Sequence, residues 1–132
     1  MTRAIRAGLA YVAIVFAIGF GLGMIRALLV IPRFGAVLAV CIEAPVLLAL
    51  AWWTCGALVR RFAVPDSPPA RIIMGGLAFV ILMAAELAMS ILLLGRTPAQ
   101  HWAGYKDTAA QIGLAAQILF AAFPLLRLRS DR

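Results

Sequence analysis

Four long apolar stretches dominate this sequence and restrict the folds that it can adopt. They cover residues 7–31, 36–59, 72–94 and 108–126. A helix of roughly 20 apolar residues crosses the hydrocarbon core of a bilayer, and each stretch approaches or exceeds this length. Because backbone groups in lipid must be hydrogen-bonded within the protein, such stretches form helices. Only 13% of the residues are charged and 65% are hydrophobic, which excludes an ordinary soluble domain and a disordered chain.

The connections between the stretches also indicate four spans. The segment Pro32-Arg33-Phe34-Gly35 predicts a tight turn between the first two spans. The proline-rich segment 65–69 predicts a short loop before the third span. Segment 95–107 contains tryptophan and tyrosine, so we expect an outer loop that lies along the membrane interface. The sequence therefore predicts an all-α, integral-membrane four-helix bundle of up-down topology, with residues 1–132 forming a single domain.

The distribution of basic residues predicts the orientation of the bundle. Cytoplasmic loops of membrane proteins carry an excess of Lys and Arg. Eight arginines fall on the side that holds both termini: Arg3, Arg6, Arg60, Arg61, Arg71, Arg127, Arg129 and Arg132. Three basic residues fall on the other side: Arg33, Arg96 and Lys106. We expect both termini to be cytoplasmic, and the net charge of +7 to favour anionic lipid headgroups. No basic patch with a reading element is present, so nucleic acid is not an expected partner.

Each apolar stretch carries one polar side chain at a similar depth. Arg26 precedes the first turn and Glu43 follows it, which places them about 9–12 Å below the same surface at 1.5 Å per residue. Glu86 and Gln117 lie nine residues from the other ends, at about 13 Å. The spacing therefore predicts one polar layer, formed by Arg26, Glu43, Glu86 and Gln117, in the outer half of the membrane.

The polar layer has a structural and a functional interpretation. An isolated charge at mid-helix costs about 2.5–3.5 kcal/mol on insertion scales, so we expect Arg26 to pair with Glu43, Glu86 or both. Buried ionic groups can serve only to fix which helices pair and in which register. Ionisable groups within a membrane are also functional candidates, in ion pathways, proton relays or ligand sites. The sequence alone favours the structural interpretation.

Two glycines and one proline mark two further features of the spans. Gly19 and Gly23 form a GxxxG pair on the face of Arg26, a pattern typical of close helix packing. Pro45 lies inside the second span and leaves the carbonyl of Cys41 without its helical partner, which predicts a kink beside Glu43.

The residues that enzymes and metal sites require are scarce. The chain has two cysteines and one histidine. Cys41 and Cys55 lie on one span, about 21 Å apart along the helix axis, and so cannot form a disulfide within the chain. No Ser-His-Asp or Cys-His constellation can be assembled. We expect no metal, no cofactor and no enzymatic activity.

Four short motifs accompany the polar residues. They are Arg26 late in the first span, the Pro32–Gly35 turn, Glu43-Ala44-Pro45 in the second span and Ala85-Glu86 in the third. In this arrangement the chain resembles a family of small, uncharacterised four-helix proteins of the bacterial inner membrane. The resemblance covers nearly the whole chain. It implies four helices and a bacterial inner membrane, and it implies no activity.

Three functional hypotheses follow. The preferred one is a non-enzymatic accessory or structural subunit, which packs through the GxxxG face against a larger membrane complex or against copies of itself. The alternative is a small homo-oligomeric transporter or channel for protons or small ions that uses the polar layer. An enzyme acting on lipid or quinone has the least support, because no nucleophile or cofactor motif is visible.

Overall fold

A computed structural model describes residues 2–130, so Arg132, one of the arginines used for orientation, lies outside them. All regular structure in this range is helical, with no strand. The α-helices are α1 (Thr2–Ile25), α2 (Ile31–Phe34), α3 (Ala36–Arg61), α4 (Pro68–Leu92), α5 (Pro98–Ala103) and α6 (Thr108–Ser130). Four helical segments are long and apolar enough to cross a membrane: Thr2–Phe34, Ala36–Arg61, Pro68–Leu92 and Thr108–Leu128. The predicted all-helical class, with four helices long and apolar enough to span a membrane, is confirmed.

The first span is longer than predicted. The expected turn over Pro32–Gly35 is wrong, because the chain stays helical to Phe34 and turns only at Gly35, whose φ is 83°. A π-helical turn over Arg26–Val30 precedes α2, and Ile31 N–H at the start of α2 donates to the carbonyl of Arg26. A proline lacks an N–H and its ring would clash with the carbonyl four residues earlier. The wider turn accommodates Pro32 without ending the helix.

The third span begins earlier than predicted, at Pro68 instead of residue 72. Pro68 and Pro69 occupy the first turn of α4, where the absent N–H groups would have no helical partner anyway. Ser67 caps this turn, and its hydroxyl accepts a hydrogen bond of 3.4 Å from Ala70 N–H. The prolines therefore start the helix, and the loop before it is correspondingly shorter.

The four spans form a bundle in which sequence neighbours are not always spatial neighbours. Helix α1 packs against α3 and α4, and α6 packs against the same two helices. Helices α1 and α6 are thus diagonal partners, and so are α3 and α4. The segment over residues 62–67 consequently joins two diagonal helices across one end of the bundle. We call this the terminal end, because α1 begins there and α6 ends there.

Most of the buried core of the bundle lies in its terminal half. The buried residues of α1 stop at Val15, and none follows in the π-helical turn or in α2. The matching core on the other helices is made of small and aliphatic residues with one aromatic ring: Ala51, Cys55, Leu58, Val59, Ala70, Met74, Ala78, Leu82 and Phe120. The half of the bundle that holds the predicted polar layer therefore contributes little to this core.

Two of the arginines on the side that holds both termini are buried at the terminal end. The side chain of Arg71 is 1% exposed and donates to the carbonyls of Pro65 and Pro124 and to Asp66 Oδ1, the last at 2.7 Å. Arg127 donates to the carbonyl of Trp52 at 2.9 Å, and its guanidinium lies 4.3 Å from the centroid of the Trp52 ring. Both arginines therefore hold the helix ends together, in addition to any effect on orientation.

A proline explains a third contact in this half. Pro124 lies inside α6 and has no N–H for the carbonyl of Phe120, four residues earlier. The hydroxyl of Tyr11 on the diagonal helix α1 donates to that carbonyl at 2.7 Å, and the rings of Tyr11 and Phe120 stack at 4.3 Å. The tyrosine thus satisfies a buried acceptor that the helix itself leaves open.

Candidate polar layer and ligand cavity

Arg26 and Glu43 form an ion pair in the loosely packed half. Arg26 Nη1 lies 2.6 Å from Glu43 Oε2, and the two side chains are 36% and 11% exposed. Arg26 opens the π-helical turn, and Glu43 lies in the second turn of α3. The turn at Gly35 folds α3 back along the first span, so residues at equal distances from it meet.

The other two predicted members of the layer contact each other. The amide nitrogen of Gln117 on α6 donates to Glu86 Oε1 on the neighbouring helix α4. The amide oxygen of Gln117 is buried and has no hydrogen-bond partner among the described residues. The structure therefore places the four residues of the predicted layer in two pairs, Arg26 with Glu43 and Glu86 with Gln117.

Both pairs face the same cavity, which we call the apolar cavity. It measures about 480 Å³ and lies between all four spans. Apart from the four polar residues its walls are apolar, and they include Phe16, Phe20, Leu47, Leu82, Met89 and Phe120. A volume of this size is typical of sites that bind small molecules.

A second cavity of about 430 Å³, which we call the vestibule, adjoins the first on the side away from the terminal end. Arg26, Glu86 and Gln117 line both cavities, so the polar layer lies where they meet. The remaining polar walls of the vestibule come from the segment between α4 and α6 and from the end of α4: Ser90, Arg96, His101, Tyr105 and Asp107. For the loop residues among these, the sequence predicts only a position at the membrane interface.

The segment between α4 and α6 is ordered by its own contacts. Thr97 and Gln100 form a reciprocal capping box at the start of α5. His101 packs edge-on against Tyr105, with ring centroids 5.7 Å apart. Burial raises the pKa of Tyr105 above its ordinary value, and the nearby carboxylate of Glu86 raises it further. Its hydroxyl therefore stays neutral at physiological pH.

Gly19 and Gly23 line the apolar cavity instead of meeting another helix backbone within the described chain. A Cβ at Gly19 would contact only the Leu47 side chain, and one at Gly23 only the Arg26 guanidinium. The close helix contact lies elsewhere, since a Cβ at Gly8 would fall 2.8 Å from the carbonyl oxygen of Met74. The GxxxG pair thus leaves room in the cavity, and its predicted use in packing between proteins stays a prediction.

Pro45 lies outside the walls of both cavities. It is exposed, and α3 continues through it from Ala36 to Arg61. Pro45 therefore does not line either cavity beside the polar layer. The predicted kink stays a prediction.

The charges of the layer are unequally balanced. Glu43 is paired with Arg26, whereas Glu86 has no cation within ion-pair distance among the described residues. Glu86 faces a neutral amide donor and the space where the cavities meet. The layer thus combines one neutralised carboxylate with one that is available to a ligand.

These features define the class: an all-helical protein with four candidate membrane-spanning helices and a polar-lined cavity in one half of the bundle. No protein-family model, curated protein or solved structure matches the chain.

Proposed function

We propose that this chain is a small membrane transporter whose ligand site is the polar layer. The carrying observation is the asymmetry of the bundle. One half contains two adjoining cavities that meet at the Arg26, Glu43, Glu86 and Gln117 layer, and the other half is filled by the core. A site that is accessible from one side and closed on the other is what alternating access requires in one of its states. The filled half argues for a transporter over an open channel.

The proposal includes a location and an orientation. We place the protein in the bacterial inner membrane, in an up-down topology with both termini cytoplasmic, on the basis of the distribution of basic residues. The vestibule then opens to the outer side of the membrane and the terminal end faces the cytoplasm. No catalytic step and no cofactor are part of the proposed function.

A flux measurement tests the proposal, with protons and small cations as the first ligands. Purified protein is reconstituted into liposomes that contain a pH-sensitive dye, and an ion gradient is applied. We expect flux above that of empty liposomes, and a loss of most of it in Glu86→Gln. Asp66→Asn, which removes a carboxylate at the terminal end, is the matched control and should retain the flux. Flux that is unchanged in Glu86→Gln would refute a pathway through the polar layer.

An accessory subunit or a homo-oligomer is the second candidate. The observation that favours it is how little of each span is buried within the bundle. In the most apolar 18-residue window of each span, between 6% and 22% of the residues are buried. Much of the apolar surface is therefore available to lipid, to a larger partner or to a second copy. A mild-detergent pull-down from native membranes, with the mass of the complex determined, distinguishes these cases. A stoichiometric larger partner would favour the accessory role, and a chain that runs alone would argue against it.

A further inference from the structure

We propose that the ligand of the two cavities is an amphipathic organic ammonium, with its charged head at Glu86 and its apolar body in the apolar cavity. This inference rests on the proposed function, because it names the substrate class of the same site. It draws on three independent features: the charge balance of the layer, the hydrogen-bonding atoms left open there, and the chemistry of the cavity walls.

The charge balance favours a cation. Glu43 is neutralised by Arg26 at 2.6 Å, and the described residues supply Glu86 with no comparable partner. A carboxylate without a cation partner in a largely apolar environment costs free energy, and a bound cation would remove that cost. An anionic ligand would instead add a second uncompensated negative charge beside Glu86.

The open hydrogen-bonding atoms favour a ligand with N–H donors. Gln117 Oε1 and Ser90 Oγ are buried and have no partner among the described residues, and Ser90 is only 3% exposed. Ser90 lies four residues after Glu86, which puts both side chains on one face of α4. A primary ammonium has three N–H donors, and the residues that carry three acceptors line the vestibule together: Glu86 with its carboxylate, Gln117 with its amide oxygen and Ser90 with its hydroxyl. A quaternary ammonium would leave the last two unsatisfied.

The walls favour an apolar body on the ligand. Apart from the polar layer, the cavity of about 480 Å³ is bounded by aliphatic, aromatic and glycine residues. Gly19 and Gly23 keep this space open, because a side chain at either position would project into it. A small inorganic cation would satisfy the charge of Glu86 but would leave the apolar walls without contacts. The combination of features is therefore best met by a compact amine with an aryl or alkyl body.

A head-group series tests the inference on the unmodified protein. The full chain is placed in zwitterionic lipid nanodiscs and titrated calorimetrically with 4-phenylbutylammonium, 4-phenylbutanol and 4-phenylbutyrate, with empty nanodiscs as the reference. The three probes share one body and differ only in the head. We expect saturable binding of the ammonium at least about tenfold tighter than binding of the other two, because charge-assisted hydrogen bonds are stronger than neutral ones. Equal binding of all three, tighter binding of the carboxylate, or no binding would overturn the inference.

Two variants locate the head group. Glu86→Gln should weaken binding of the ammonium to the level of the alcohol and leave the alcohol unchanged, whereas Asp66→Asn should change neither. If Glu86→Gln does not fold, the head-group series on the unmodified protein still decides the ligand class. Proton flux in liposomes without any ammonium preference in nanodiscs would overturn this inference and leave the proposed function standing. Ammonium preference without flux of any ion would support the binding site and count against transport.

Discussion

The hydrogen bond between Tyr11 and the Phe120 carbonyl offers the sharpest test of how the terminal half is held together. Pro124 leaves this carbonyl without a helical donor, and Phe120 is 3% exposed, so no solvent replaces the tyrosine hydroxyl. Leaving a buried acceptor without a partner costs about 1–3 kcal/mol, while interhelical bonds in one membrane protein average about 0.6 and reach about 1.7 kcal/mol. Because the buried acceptor would lose the donor that Tyr11 supplies, we expect Tyr11→Phe to lower the free energy of unfolding by about 1.5 kcal/mol.

The measurement is reversible unfolding in mixed micelles of mild detergent and SDS, followed by tryptophan fluorescence. Tyr105→Phe is the matched control, because Tyr105 lies in the short segment outside the core and should change stability by less than about 0.5 kcal/mol. A loss in Tyr11→Phe that is no larger than this control would show that the hydroxyl contributes no net stability.

A double-mutant cycle identifies the cause of the effect. Pro124→Ala supplies a backbone N–H that can bond to the Phe120 carbonyl, so the carbonyl no longer depends on Tyr11. Tyr11→Phe should then cost about 1 kcal/mol less in the Pro124→Ala background than in the natural chain, a coupling typical of contacting residues. Equal costs in both backgrounds would refute the argument that the proline creates the need for the tyrosine.

Three further substitutions give distinct outcomes in the same unfolding assay. Gly75→Ala should destabilise by about 1–3 kcal/mol, because its Cβ would overlap a backbone carbonyl of α6, whereas Gly76→Ala meets open space and should be near neutral. An equal loss in both would refute the close approach. Arg71→Lys should cost about 1–3 kcal/mol, since one ammonium cannot reproduce the planar set of donors to three acceptors. No loss would mean that the lysine reaches the same carbonyls. Arg26→Gln should cost about 1–2 kcal/mol, a value reduced from that of a fully buried pair because Arg26 is 36% exposed. Adding Glu43→Gln should recover most of it, and additive losses would show that the two charges do not interact.

The sequence predicts the helices well because their cause is local. Each span is a continuous apolar run, and lipid leaves such a run only the helix. The common depth of Arg26, Glu43, Glu86 and Gln117 also follows from counting residues between turns, and the structure places these four around one cavity. Depth says nothing about which partner a side chain selects, so the two pairs could not be assigned beforehand.

Other features depend on tertiary contacts that one sequence does not contain. The diagonal placement of α3 and α4 follows from packing of whole helices and has no local signal. Arg71 and Arg127 sit at helix ends, where basic residues usually point to water, and only the folded bundle shows them turned inward. The π-helical turn at Arg26 did have a signal, because Pro32 interrupts an apolar run. A proline there is compatible with a break or with a wider turn, and the surrounding helix decides between them.

Because the bundle is divided into a packed half and a cavity half, we expect mutations in the two halves to have different effects on the fold. A substitution that reshapes the cavity wall at Met89, for example, changes a residue outside the core cluster that contains Tyr11 and Phe120, and Met89 makes none of the contacts of Tyr11, Arg71 and Arg127 that hold the helices together. Local stability within one protein varies from region to region, and ligand-binding regions in general have the lower local stability. We therefore expect substitutions in the cavity walls at one end of the helices to affect the fold less than substitutions in the core at the other end.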